Sequence, residues 1–127
     1  MTTTQTDRAT ELRELVGDLN GMILQGQILE AHDKFYHDNC VQQESETDAR
    51  EGKAVNREFE EAFVGGLTEF RGAEVKSVAV DAENDTTMVE WFMDYTHKDW
   101  GDKTYHQVAV QRWSGDKIVH ERYYSGG

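Results

Sequence analysis

The sequence predicts an α+β fold, with three N-terminal helices packed on one face of an antiparallel sheet. Up to residue 67 the apolar residues recur every three or four positions, which is the spacing of one helix face. After Gly72 they alternate with polar residues, which is the spacing of half-buried strands. Because all the helices precede the meander of strands, the order indicates α+β rather than alternating βαβ units.

Each of the three predicted helices has one apolar face. The first follows a polar tail over residues 1–7, which we expect to be flexible, and stops near Gly26. A second, shorter helix starts at Ile28, and a third ends near Gly65 and Gly66. Their apolar positions are Leu12, Leu15, Val16, Leu19, Met22 and Ile23, then Ile28, Leu29, Ala31, Phe35 and Tyr36, then Val55, Phe59, Ala62, Phe63 and Leu67.

Four strands and their turns account for the rest of the chain. An extended segment over residues 39–44 lies between the second and third helices. The later strands are predicted at 73–83, 88–97, 104–113 and 118–124, separated by sequences rich in Gly, Asn and Asp. Consecutive strands joined by such short turns form an antiparallel meander.

Composition limits both the architecture and the partners. The 127 residues suit one domain over 1–127, and 25 acidic against 13 basic residues give a net charge of −12. This charge repels phosphate backbones and anionic lipids, so we expect neither nucleic acid nor membrane as a partner. The polar N-terminal sequence and the lack of a long apolar run lead us to expect a soluble, cytoplasmic protein.

The metal-ligating residue types are too sparse for a recognisable site. Cys40 is the single cysteine, so neither an internal disulfide nor a cysteine zinc cluster is possible. The five histidines show no ligand spacing such as the two histidines of a zinc helix. We therefore expect no metal and no cofactor.

The turns predict which strand residues share a face. A three-residue turn at 99–101 pairs Lys98 with Asp102, and a two-residue turn beside Gly115 closes the last hairpin. One predicted face then holds Phe92, Asp94, His106, Val108, Val110, Glu121 and Tyr123, and the other holds Trp91, Met93, Tyr95, Tyr105, Trp113 and Tyr124. A three-residue turn near Gly115 would instead exchange the two sets of the last strand, because a slip of one residue reverses every side chain.

Three segments resemble the SnoaL-like members of the nuclear-transport-factor-2-like superfamily. They are GQILEAHDKFYHDNCVQQE, REGKAVNREFEEAF and VAVQRWSGDKIVHERYY, and the likeness extends over residues 8–125. The resemblance implies helices over a curved sheet, with a cone-shaped cavity on the concave side and a convex side that often forms a dimer. It also implies that pocket residues follow Ile118 by three and five positions, which gives Glu121 and Tyr123.

The catalytic groups of two known activities in this superfamily are absent at the corresponding positions. Tyr123 stands where the cyclases that this chain resembles have an acid–base aspartate, and a phenol is a poor proton acceptor at neutral pH. The three positions that ketosteroid isomerases use correspond to Leu19, Gln43 and Val108. The resemblance therefore predicts the fold more specifically than the activity.

Two functions remain open for the expected cavity. The first is binding of a small apolar or aromatic organic ligand, with no reaction assigned. Its expected walls are Tyr36, Phe59, Phe63, Phe92, Val108 and Val110, with Asp94, His106, Glu121 and Tyr123 as polar positions. The second is an enzyme of the cyclase, isomerase or dehydratase type, in which Asp94 orients His106 as a general base.

The face rich in Trp, Tyr and Met suggests a third possibility. A monomer rarely exposes so much apolar area, whereas protein interfaces are enriched in these residues. We expect this face to be the convex side of the sheet and to form a homodimer, with His120 and Arg122 as polar contacts. Cover by the N-terminal segment or by the sheet's own curvature is the alternative.

Overall fold

Three helices cover one face of a single sheet in the computed structural model, which describes residues 2–44 and 49–125. Helix α1 spans Thr2–Leu24, α2 spans Ile28–Phe35 and α3 spans Lys53–Gly66. The strands are β1 (Tyr36–Glu44), β2 (Arg50–Glu51), β3 (Leu67–Asp81), β4 (Thr86–His97), β5 (Gly101–Ser114) and β6 (Lys117–Ser125). The α+β class and the three helices are thus confirmed.

The six strands form one open sheet in the order β2-β1-β6-β5-β4-β3. The meander from β3 to β6 is antiparallel as predicted. The pair β1 and β6 is parallel, so the sheet is mixed rather than wholly antiparallel. The last strand therefore lies in the middle of the sheet, between the first strand and the meander.

The N-terminal segment forms the start of helix α1. Helix α1 already includes Thr2, so the backbone of residues 2–7 is helical. Arg8 fixes the first half of this helix to the turn before β4 through a hydrogen bond of 2.8 Å to Asp85. It also donates a hydrogen bond to the carbonyl oxygen of Gly115. These contacts tie the first half of α1 to the turns before β4 and β6.

The hydrophobic core lies between the helices and one face of the sheet. Along β4 every odd-numbered residue from Val89 to His97 is buried, while the even-numbered residues from Met88 to Thr96 are more exposed. The core consists mainly of Leu12, Val16, Leu19, Ala31, Phe35, Val89, Trp91, Ala109, Trp113 and Ile118. The odd-numbered face of β4 and β5 is thus the concave side, which the helices cover.

A β-bulge in β6 sets the orientation of the last strand. Ser114 pairs with Lys117, so the expected two-residue turn at Gly115 and Asp116 is present. The register then shifts by one residue between the pairs Trp113–Ile118 and Arg112–His120. Val119 is the extra residue, and an extra residue reverses the faces of everything that follows.

The C-terminal end of α3 docks on the hairpin that joins β4 and β5. His97 stacks on Trp100 with ring centroids 3.8 Å apart, and its Nε2 lies 3.2 Å from the carbonyl oxygen of Ala62. The amide of Lys98 donates a hydrogen bond of 2.8 Å to the carbonyl oxygen of Gly66. Gly66 lies directly against the imidazole of His97, where a Cβ would be 2.0 Å from Nε2.

We predict that Gly66→Ala destabilises the protein. The new methyl group would overlap the buried ring of His97, and relief of such overpacking costs about 1–3 kcal/mol. Gly65→Ala is the matched control, because no atom lies within 4 Å of its built Cβ and alanine favours the helix. Urea unfolding should show a lower midpoint for Gly66→Ala alone; equal midpoints for the two variants would contradict the close packing.

Candidate functional site

A cavity of about 690 Å³ lies between the concave face of the sheet and the helices. The junction of α1 and α2 contributes Ile23 and Ile28, and α3 contributes Phe59, Glu60 and Phe63. From the sheet and its β4–β5 hairpin come Trp91, Met93, Tyr95, Trp100, Tyr105, Gln107, Ala109, Gln111, Glu121 and Tyr123. The site is therefore built from both layers of the fold.

Aromatic rings form much of the cavity wall. Phe63 meets Tyr95 edge to face, with centroids 5.3 Å apart, and stacks on Trp100 at 6.0 Å. The hydroxyl oxygens of Tyr95 and Tyr105 lie 2.9 Å apart and form a hydrogen bond. Because these four rings are braced by one another and by a hydrogen bond, this part of the wall is largely preformed.

At the base of the cavity lies the buried carboxylate of Glu121, which is 1% exposed. The hydroxyls of Tyr36 and Tyr123 donate to Oε1 at 2.6 and 2.5 Å. The side-chain amides of Gln42 and Gln111 donate to Oε1 and Oε2 at 2.8 and 2.7 Å. Four donors from three strands therefore satisfy a charge that would otherwise be costly to bury.

Burial and hydrogen bonding act in opposite directions on the pKa of Glu121. Loss of water raises the pKa of Glu121, and the four donated hydrogen bonds oppose that rise. Burial raises the pKa of Tyr36 and of Tyr123 well above that of an ordinary phenol, and the charge of Glu121 adds to the effect. Both phenols therefore keep their protons and act as hydrogen-bond donors at neutral pH.

A second carboxyl group, that of Glu60, lines the same cavity without such support. None of the described residues donates a hydrogen bond to it or forms an ion pair with it. Burial, followed by the negative charge of Glu121, raises the pKa of Glu60 to about 7. Its charge state therefore changes close to neutral pH.

The structure brings several predicted residues into the site. Phe59, Phe63, Glu121 and Tyr123 line the cavity. Tyr36 lies beneath it, in a side pocket of about 50 Å³ that Glu60 and Tyr123 also line. The count of three and five residues from Ile118 thus gives positions that do point under the helices.

The prediction that Phe92, Val108 and Val110 line the cavity is wrong. These even-numbered residues lie on the convex face, because β5 pairs with β6 after the bulge so that Ala109 faces Tyr123. Without the bulge at Val119, Tyr123 would have faced the even-numbered set of β5. The residues predicted to share a face within β4 and β5 do so, but on the opposite side of the sheet from the one expected.

The expected pair of Asp94 and His106 is also absent from the cavity. Both lie on the convex side, and the β4–β5 turn occupies 98–100, so that Asp94 faces Thr104 and His106 faces Phe92. Asp94 accepts hydrogen bonds of 2.8 Å from Arg71 and 2.9 Å from Thr104. These bonds lower the pKa of Asp94, and the carboxylate does not orient the imidazole.

The prediction that the convex side carries an aromatic face is also wrong. The bulge at Val119 again reverses the faces that were assigned through the last hairpin. Trp91, Met93, Tyr95, Tyr105 and Trp113 lie on the concave side, where they form core and cavity wall. Of that set only Tyr124 remains on the convex side, 42% exposed. The apolar area attributed to a subunit contact is thus covered by the chain's own helices.

Sequence reasoning missed Glu60, Gln42 and Gln111. For Glu60 a signal was present, because it lies three residues before Phe63 and next to Phe59 on the helix, so that all three lie close to one face. The two glutamines gave no such signal, since an amide in a strand is common on solvent-facing positions. Among the described residues no group of three His, Cys, Asp or Glu could hold a metal ion.

A model of a known protein family matches most of this chain. The family model described as SnoaL-like domain matches residues 22–121. The chain belongs to the SnoaL-like domain family. None of the functionally curated proteins is a significant match to this SnoaL-like domain. No helix among its described residues has the length and apolar character needed to cross a bilayer.

Solved structures share the architecture at low sequence identity. A candidate SnoaL-like polyketide cyclase from Mesorhizobium loti is 23% identical, with 88% of this chain and 97% of that chain covered and a TM-score of 0.77. The epoxide hydrolase/cyclase-like enzyme SalBIII, described in pyran ring formation in salinomycin, is 18% identical over 92% of both chains, with a TM-score of 0.76. An epoxide hydrolase from M. tuberculosis is 14% identical, with 93% and 84% covered and a TM-score of 0.74. At these identities the likeness shows the fold.

We predict that Glu60→Gln stabilises the SnoaL-like domain at alkaline pH and not at acidic pH. A carboxyl group with a raised pKa favours folding while it is protonated, so its contribution is complete below about 4.5 and is lost as the pH rises through about 7. The glutamine variant lacks this loss, which amounts to at most about 3 kcal/mol.

Urea unfolding at pH 5 and pH 8 measures the effect. The difference in unfolding free energy between Glu60→Gln and the unmodified protein should increase between the two pH values. Glu58→Gln is the matched control, because Glu58 is exposed on the same helix. A Glu60→Gln difference that is the same at both pH values would contradict the raised pKa.

Proposed function

We propose that this SnoaL-like domain binds a flat, mainly apolar organic molecule in the cavity between the sheet and the helices. The cavity of about 690 Å³ and its aromatic wall are the observation that carries the proposal. Ligand pockets for small molecules typically have about 300–1,000 Å³ and a few directional polar groups among apolar walls. Aromatic rings on several sides favour a ligand with planar rings of its own.

The polar groups at the base limit how such a ligand binds. Tyr36 and Tyr123 already donate their hydroxyl protons to Glu121. A ligand group that displaced them would leave a buried carboxylate short of donors, which is unfavourable. We therefore infer that the ligand contacts the rings of the wall and leaves the network around Glu121 intact.

The names of the solved neighbours are consistent with organic ligands that contain rings, since they include polyketide cyclase and pyran ring formation. The enzymatic alternative with His106 as base finds no support, because that residue lies on the other face of the sheet. An acid–base enzyme in this cavity would instead depend on Glu60, whose pKa of about 7 suits proton exchange near neutral pH.

A homodimer through the convex face is a further part of the proposal. The aromatic residues expected on this face lie on the concave side instead. The convex face still carries Met88, which is 39% exposed, and Tyr124, which is 42% exposed, beside half-buried Phe92, Val108 and Val110. Grouped apolar side chains of this kind favour association of like surfaces.

We also propose a cytoplasmic location, since the single thiol of Cys40 is buried and forms no disulfide.

We predict that Gln107→Trp weakens binding of naphthalene- and anthraquinone-based compounds at least about ten-fold. Gln107 lines the cavity, so an indole at this position takes up space that the ligand needs. His106→Trp is the matched control, because the adjacent residue of β5 points to the convex face.

Thermal shift with each compound measures the effect, since a ligand that binds only the folded state raises the melting temperature. The unmodified protein and His106→Trp should show equal shifts, and Gln107→Trp a much smaller one. If no compound of the panel shifts the melting temperature of the unmodified protein, the proposed function is wrong.

We predict that sedimentation equilibrium at micromolar concentration gives twice the chain mass of 14.6 kDa. Val108→Glu should shift the population to the monomer, because it places a charge in the middle of the convex face. Glu58→Lys, on α3 away from that face, should leave the dimer unchanged. A single species of chain mass for the unmodified protein would rule out the dimer.

A further inference from the structure

The carboxylate of Glu60 has no cationic partner among the described residues, although the charges of two arginines act on it. Arg50 is committed to Glu44, with hydrogen bonds of 2.6 and 3.3 Å. Arg57 is committed to Asp33, with hydrogen bonds of 2.8 and 3.2 Å. Each arginine already faces a carboxylate in a two-pronged geometry, which is the strongest form of such a pair. The carboxylate of Glu60 is therefore available to pair with a group that enters the cavity.

The charges that line the cavity have an acidic excess. The carboxylates of Glu44, Glu60, Asp102 and Glu121 line it together with the ammonium group of Lys103, but Glu44 is already paired with Arg50. Asp102 and Lys103 are both exposed on β5, so water screens their opposite charges. Glu60 and Glu121 are the less exposed carboxyl groups that face the cavity. An anionic ligand would meet these two carboxyl groups, whereas a cationic ligand would reduce their mutual repulsion.

The ring faces around the cavity add a second, independent attraction for a cation. The negative face of an aromatic ring attracts ammonium and guanidinium groups, most strongly when water is excluded. Within the chain this already occurs at the cavity edge, where the guanidinium carbon of Arg50 lies 3.8 Å from the ring centroid of Phe59. Phe63, Trp91 and Trp100 offer further rings around the same space.

We propose that the ligand of this cavity is an organic amine, whose protonated nitrogen pairs with Glu60 while its planar apolar body lies among the rings. The inference rests on the proposed function and narrows it to one chemical class. The ammonium group of the ligand supplies the positive charge that no described residue pairs with Glu60. The network around Glu121 needs no change, because its carboxylate already has four donors.

Three probes that share one body and differ in charge test the proposal. They are 2-(naphthalen-2-yl)ethylamine, the corresponding alcohol and naphthalene-2-acetate. Isothermal titration calorimetry at pH 8 should show that the amine binds at least about ten-fold more tightly than the alcohol. The acetate should bind most weakly of the three.

Glu60→Gln isolates the role of the carboxylate. The variant keeps the shape of the side chain, so the alcohol should bind as it does to the unmodified protein, while the advantage of the amine should fall below about three-fold. Glu58→Gln, on the exposed side of the same helix, should keep the full advantage. If Glu60→Gln does not give a cooperative melting curve, Glu60→Ala provides the same comparison.

The outcomes separate the inference from the function on which it rests. Equal affinities of amine and alcohol, or an amine advantage that survives in Glu60→Gln, would overturn the inference and leave a neutral ligand for the same cavity. If none of the three probes binds and the panel of neutral aromatic compounds also fails, the cavity is not a ligand site and both proposals fall.

Discussion

The arrangement of this domain depends on one buried carboxylate. Glu121 lies on the last strand, and the groups that donate to it belong to β1, β5 and β6. Each such hydrogen bond to a charged group contributes about 1.5–3 kcal/mol, and a missing donor leaves a charge unsatisfied. The network therefore favours the single register in which β6 lies between β1 and β5. The same register places Tyr123 at the base of the cavity.

The two carboxyl groups of the cavity have different tasks because their surroundings differ. Glu121 is surrounded by donors and is part of the frame of the sheet. Glu60 projects from a helix into the same space, and the two arginines whose charges act on it are held by other carboxylates. A group that the chain leaves unsatisfied in a cavity is better placed to meet a ligand than one that the chain has satisfied.

The fold was predictable from the sequence because it depends on long, clear patterns. The change from helical to alternating spacing after Gly72 gave the class, and the turn beside Gly115 was predicted correctly. The face of the cavity was not predictable in this way. Val119 looks like any apolar strand residue, and no local pattern marks it as the extra residue of a bulge.

That one residue decided which predicted site residues were right. Glu121 and Tyr123 come after the bulge, and the likeness to known proteins located them by counting from Ile118, without any use of turns. Phe92, Val108 and His106 were assigned by pairing through the last turn, so the error passed to all of them together. The role of Glu60 could not come from strand parity at all, because it depends on the ion pairs that Arg50 and Arg57 form with other residues.

The position of β6 also has a consequence for how the chain reaches its native state. This strand is synthesised after the other five, yet it occupies an inner place in the sheet and joins β1 to the meander. Until it is in place, β1 and β5 each present an unpaired edge, and the cavity has no base. The protein must therefore complete its sheet after synthesis of the whole domain, through contacts between residues far apart in sequence, which is a slow kind of closure. During that interval the open edges of β1 and β5 are the places where a chaperone would be most useful.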